Sequence, residues 1–388
     1  MRQRFMLILG ILGLVLLSFG QESFQIGALG EEGELIYPRH IAEGPDGNIY
    51  IYDQSDAFIK VYSAEGRYLR RFGGEGQGPG EIQRKEGVSF GFTPDEELFF
   101  TEAFNGHPWF TVLDLSGKLV RIIKIDLKER FGVSSAVCLP DGRYLTKFNT
   151  IAKPKQEKDY FYHIYPQQII LLDSTGAASS RSKRSEYISR ISFESMGADA
   201  PVPFTPMFAW CHFQKNTLLF SDGLSTKLQV YDFEGNLLKE IATPLPEPRK
   251  VTNADLKSWR DRYAEMMRSR NPDWFNRFGK VITNYKKSIY DKHPILSELR
   301  QTPGGNIFIT GAQDEGNTVN TYWLLDSGGK KLATLNTRAQ GVWIARNFMF
   351  YGLVNEDFEV KVKAFKRSGS EQEDLRKLGN LMEPYSQR

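Results

Sequence analysis

The chain has 388 residues, with 40% hydrophobic and 13% aromatic side chains, which suits a packed β core in one large domain or two smaller ones. Net charge is +3, and two of the positive residues, Arg2 and Arg4, lie in a segment expected to be removed. A near-neutral mature chain excludes the strong field that nucleic-acid binding needs, and two cysteines, Cys138 and Cys211, exclude a disulfide scaffold.

Met1–Gly20 has a basic start, the apolar run Phe5–Leu17, and small residues Ser18 and Gly20 just before Gln21, the pattern of a cleaved secretory signal. The run is shorter than the roughly 20 residues that cross a bilayer, and no cysteine follows it for lipid attachment. The expectation is a signal over 1–20 and an exported chain, periplasmic or extracellular, with no transmembrane segment after cleavage. Phe24–Leu29 is expected to supply a closing strand.

Ile41–Gly80 organises the rest of the chain. Pro45-Asp46-Gly47-Asn48 is a turn, because proline presets φ, aspartate bonds the backbone ahead, and glycine accepts positive φ. Ile49–Tyr52 is β-branched and aromatic on both faces, so it predicts a strand covered on both sides. Phe58–Tyr62 is a third strand, Glu65-Gly66 a second turn, and Arg67–Phe72 an exposed outer strand. Such a sheet cannot stand alone. Copies stacked face to face around an axis give a β-propeller.

Two turn markers count the copies. The first, between strands one and two, are Asp46-Gly47, Asp95-Glu96, Asp141-Gly142, Lys215-Asn216, Gly304-Gly305 and Arg346-Asn347. The second, between strands three and four, are Glu65-Gly66, Ser116-Gly117, Thr175-Gly176, Glu234-Gly235, Gly328-Gly329 and Ser368-Gly369. Their separation is nearly constant except in the third copy. Six blades over 21–368 are therefore expected in an all-β fold.

Two insertions break the period. An extended hairpin is predicted over about 143–173, its second arm rich in tyrosine. A helical insertion is predicted over about 250–292, between blades 4 and 5, with Leu256, Trp259, Tyr263, Met266 and Met267 at helical spacing and a second helix after Pro272. The polar tail, 369–388, is expected to fray, with a short helix near Glu371–Leu381.

The run PDGNIYIYD, FIKVYSAEG, FGGEGQGPG over about forty residues resembles an NHL repeat, the blade of an exported six-bladed propeller family with a TolB-like ring. The resemblance implies that first strands line a central channel, and that the loops leading into them share a face with the loops joining second and third strands. Six residues before each first marker stand His40, Ser89, Ser135, Ala209, Glu298 and Gln340, five of them polar where a covered strand should be apolar. These form the expected channel-mouth site, joined by Glu102 and His107. The bland reading, trapped channel water, competes with it. Asp53, Glu102 and Asp222 fall seven residues after their markers, where an acid usually accepts loop N–H groups.

Tyr160, Tyr162 and Tyr165 are candidates for an aromatic platform. The peptidyl-amidating lyases, which this chain resembles in blade pattern, hold zinc by histidines on that face, yet His40, His107, His163, His212 and His293 show no metal-ligand spacing. No metal or other cofactor is expected, with calcium or zinc as the open alternative. Cys138 and Cys211 sit in neighbouring first strands, so a bridge across the blade 3–4 interface is a further option, against two buried thiols. With no catalytic signature, the leading reading is a monomeric binding or scaffold module for a peptide, glycan or envelope protein, and whether it is an enzyme stays open. The alternative is a metal-assisted lyase or lactonase-like hydrolase at the channel.

Overall fold

The computed structural model describes residues 23–83, 85–102, 109–126, 131–150, 153–157, 160–193, 198–206, 208–283, 289–313, 319–339, 341–354 and 360–386. The expected signal, 1–20, lies outside them. Six small antiparallel sheets form a ring, the six-bladed β-propeller expected from the turn markers. Blade 1 runs Pro38–Glu43, Ile49–Asp53, Phe58–Tyr62 and Tyr68–Gly73, each strand paired with the next. Blades 2, 4 and 5 repeat this order.

One turn sets the period. Its first residue donates its N–H to the carbonyl four residues on and accepts from the N–H three residues on, as Gly44 does with Asn48 and Gly47. The third residue on needs a left-handed conformation: Gly47 has φ 76°, Gly66 84°, Gly117 92° and Gly235 90°. In blade 4 the positive φ falls on Gln214 (53°), one residue before the predicted pair.

Alternation then builds the core. All five residues of Ile49–Asp53 are buried. Ile49 and Ile51 pack toward blade 6 with Phe348, Phe350 and Val362, whereas Tyr50 and Tyr52 pack toward blade 2 with Phe90, Leu98 and Phe100. Four more clusters fill the blade 2–3, 3–4, 4–5 and 5–6 interfaces. Six clusters for six interfaces means the ring closes on itself. Closure is made by the N-terminal strand Phe24–Ile26, which pairs antiparallel with Val362–Ala364 as the outermost strand of blade 6 and removes a free edge.

Blade 3 is larger than expected. Its third and fourth strands run Tyr160–Leu172 and Ala178–Phe193, Lys153–Glu157 pairs back onto Tyr160–Ile164, and a further strand, Ala198–Pro201, adds to the outer edge. The helical insertion comprises α1 (Asn253–Arg270) and α2 (Pro272–Thr283). A capping box starts α1: Thr252 Oγ1 accepts the Asp255 N–H at 3.2 Å, and the Asp255 carboxylate accepts the Thr252 N–H at 2.8 Å. Leu256, Trp259 and Ala264 pack with Phe204 in the chain between blades 3 and 4, and Tyr290 Oη accepts the Ile188 N–H at 2.8 Å. The insertion is thereby tied to the blade 3 extension.

Two expectations are corrected. Ser368-Gly369 is no turn between third and fourth strands, because the fourth strand of blade 6 comes from the other end of the chain. Instead it leads into α3 (Glu371–Ser386), which is no frayed tail. Leu375, Leu378 and Met382 are buried against Leu335 and Phe365, and the buried Glu371 carboxylate accepts from Thr302 Oγ1 (2.7 Å), the Gly304 N–H (3.0 Å) and Asn306 Nδ2 (2.8 Å) in a blade 5 turn. Of the two options for the cysteines, the thiols hold and the bridge does not: Cys138 and Cys211 are free, partly buried and do not face each other. Cys138 packs into the blade 2–3 cluster and Cys211 into the blade 4–5 cluster, so strand parity turns each away from the interface between them.

Candidate functional site

First strands bring residues distant in sequence around one axis. A cavity of about 520 Å³ is lined by His40, Ser89, Ser135, Ala209 and Glu298, five of the six positions picked out by spacing. Gln340 and His107 lie outside the described residues. A second cavity, about 850 Å³, is lined by the turns between first and second strands, among them Gly44-Pro45, Thr93, Pro303 and Ala345. In a four-stranded meander those turns lie on the face opposite the blade 3 hairpin and the helical insertion. The roomier mouth is thus on the face the insertions leave clear. His40, Glu298 and Arg300 line both cavities, so the two meet at these three side chains.

Arg300 is fixed from three directions. Its Nε and Nη2 donate to Glu298 Oε1 at 2.7 and 2.6 Å, Nη1 donates to the Val342 carbonyl at 3.2 Å, and the guanidinium lies 5.5 Å from the Trp343 ring. The pair therefore spans blades 5 and 6 as a rigid donor–acceptor unit. His40 meets the Phe90 ring at 4.6 Å. Burial, aided by the positive charge of Arg300, pushes its pKa down to about 4, so the imidazole is neutral at pH 7.

Lys147 lies opposite Ser135 in the strand pairing, and both line the smaller cavity. It shares a face with Leu145, which packs toward blade 4. Its Nζ donates to the Phe208 carbonyl at 3.2 Å and sits 5.3 Å from the Phe208 ring. Burial alone pushes this amine down to about 8. His212 also lines this cavity; its buried Nε2 has no hydrogen-bond partner, and burial lowers its pKa.

Spacing passed over Lys147, Arg300, Trp210 and Trp343, all lining residues. The available signal was a lysine in the covered strand Tyr144–Thr150; Arg300 and the tryptophans carry no comparable mark. Glu102 is a channel candidate that the cavities do not include: it accepts the Gln83 N–H at 3.2 Å in the loop leading into blade 2. Asp53 binds loop N–H groups in the same way, and Asp222 accepts the Leu224 N–H at 2.9 Å. Of the tyrosines, Tyr165 packs its ring 5.8 Å from Tyr187 and occupies a strand position of opposite parity to Tyr160 and Tyr162, whose side chains lie outside the described set. Among the described residues, no group of three or more His, Cys, Asp or Glu is placed to hold a metal ion, and no helix is long and apolar enough to cross a membrane.

No family model matches the chain, and no curated protein matches it. Among solved structures it is similar to a Bacteroides fragilis protein assigned as exported (10% identity, TM-score 0.47, over 89% of this chain and 95% of that one). It is also similar to a protein assigned as a gluconolactonase (9%, TM-score 0.46, 90% and 93%) and to virginiamycin B lyase from Staphylococcus aureus (11%, TM-score 0.39, 88% and 97%).

Proposed function

We propose that the chain is an exported recognition module that takes the end of an oligosaccharide into its central channel. One observation carries this reading: two cavities meet at a fixed Glu298–Arg300 pair and His40, with Trp343 lining one and Trp210 the other. Sugars offer C–H faces to indole rings and hydroxyls to rigid donor–acceptor pairs, and such mixed concave linings suit small polar ligands. The basic and apolar segment at Met1–Gly20 supports export, and the NHL-like repeat of blade 1 fits an exported ring. A metal-assisted lyase or lactonase requires three converging ligands, and no observation among the described residues favours that reading.

A glycan array with the purified chain, followed by tryptophan fluorescence titration, tests the proposal. Trp343→Ala and Glu298→Gln should each weaken the best binder about tenfold, or about 1.4 kcal/mol, measured at a temperature where circular dichroism shows each variant folded. An array without a binder, or a binder indifferent to both variants, overturns it.

A further inference from the structure

We propose that Lys147 is a capture amine that condenses with the aldehyde of a ligand held in the channel, the open-chain reducing end of a sugar being the fitting class. This rests on the channel being the recognition site. A lysine on a covered strand is normally tied to a carboxylate, as Lys60 is to Asp53 at 2.9 Å. Lys147 is not. Among the described residues its Nζ has one acceptor, the Phe208 carbonyl, and no carboxylate within ion-pair distance. The other titratable groups lining this cavity are His40, His212, Cys211, Glu298 and Arg300, and none pairs with it.

Held in a cavity without a counter-charge, the amine loses more as ammonium by burial than the Phe208 carbonyl and ring face return, which leaves it available as a nucleophile. The effect of burial on Lys147 points the same way, since at about 8 a usable fraction is neutral near pH 7.5. In the step itself, the nitrogen lone pair attacks the aldehyde carbon and the carbonyl π electrons move to oxygen. That oxygen takes a proton while nitrogen loses one, giving a carbinolamine. Loss of water then leaves the imine. Nothing is oxidised or reduced, and the step reverses with water. Ser135, the strand partner of Lys147, places a hydroxyl on the same cavity wall to carry the proton.

Limiting glycolaldehyde with cyanoborohydride, read by intact mass and peptide mapping, tests the proposal. At pH 7.5 an amine of pKa about 8 is roughly a quarter neutral, against roughly 0.1% for an exposed lysine near 10.4. After allowing for its lower basicity, Lys147 should label on the order of tenfold ahead of any other lysine. Its labelling should rise with a midpoint near pH 8, and Lys147→Arg should abolish the first lysine adduct, the α-amine, which also titrates near 8, being mapped separately. Labelling that follows surface exposure, or a Lys147 midpoint near 10, overturns the proposal. The wild-type pH profile decides even if the variant fails to fold. An array without a binder would end the recognition reading and leave the adduct standing. Unselective labelling with glycan binding retained would end the capture reading alone.

Discussion

Asp53→Asn should cost about 3–5 kcal/mol of stability, the range for breaking a buried charge pair from one side. The carboxylate is fully buried, and Lys60 is 3% exposed. Oδ2 accepts from the Ile36 N–H (2.9 Å) and Lys60 Nζ (2.9 Å), while Oδ1 accepts from the Tyr37 N–H (2.9 Å), the Ser55 N–H (3.1 Å) and Ser55 Oγ (2.7 Å). Whichever oxygen becomes an amide, its N–H groups face existing donors. Among the described residues, Lys60 then keeps Asp56 at 2.8 Å and the Glu34 carbonyl at 2.7 Å. Burial alone would raise the Asp53 pKa, but the bonds from Lys60, Ile36 and Ser55 outweigh it and hold the pKa below the usual carboxylate range. A depressed carboxylate contributes stability above its unfolded value, lost as pH falls through its folded value. The wild-type advantage should therefore shrink below about pH 4. Urea unfolding followed by circular dichroism measures the cost, with Asp222→Asn as control, because that acid has the same offset in blade 4 but is exposed. The loss should localise as well. Ile36 and Tyr37 follow the closing strand, so hydrogen exchange should quicken in Phe24–Ile26 and Val362–Ala364. A cost under about 1 kcal/mol, or one matched by Asp222→Asn, refutes the assignment of Asp53 as a structural clamp.

Gly329→Ala should destabilise by about 2 kcal/mol or more, because φ is +92° and the new Cβ would sit 2.4 Å from the Ala242 carbonyl oxygen of blade 4. Gly305→Ala, at φ +80° with open space around it, should cost only about 1–2 kcal/mol; chemical denaturation of the two measures the blade-to-blade contact by difference. His40 binds a proton less readily folded than unfolded, so stability should fall with pH between about 6.5 and 4. Between pH 7 and 5 the wild type should lose about 1–2 kcal/mol more than His40→Phe, and a parallel loss in the variant would contradict the neutral imidazole.

The ring was legible because its period is written in backbone chemistry. Gly66, Gly117, Gly176, Gly235 and Gly329 all occupy the left-handed region that the repeated turn demands, and Ile49–Tyr52 splits between two interfaces as alternation requires. Helix α3 was half legible: Leu375, Leu378 and Met382 keep helical spacing, but acids and Gly379 among them lower the apolar signal below that of a docked helix. Its anchor, Glu371, is recognisable only once the blade 5 turn has formed beneath it. The cysteine pair left a bridge open as an option for a related reason. Offsets gave opposite parity correctly, but which parity faces which neighbour is a property of the closed ring, not of either strand.

The channel lining divides along the same line. A ring forces equivalent positions of its first strands to converge, so spacing alone gathered His40, Ser89, Ser135, Ala209 and Glu298 around one cavity. What period cannot give is chemistry that breaks the symmetry. Arg300 owes its fixed pose to a carbonyl and an indole of the next blade, and Lys147 comes from a second strand and reaches across to Phe208 of blade 4. Both depend on the contact between two particular blades, and nothing in the repeat carries that information. In the proposed recognition role, asymmetric side chains on a symmetric frame are where selectivity would reside, since the repeated positions alone present a near-uniform collar. Arg300 and Lys147 are therefore sharper test positions for that proposal than the periodic positions that gather around the cavity.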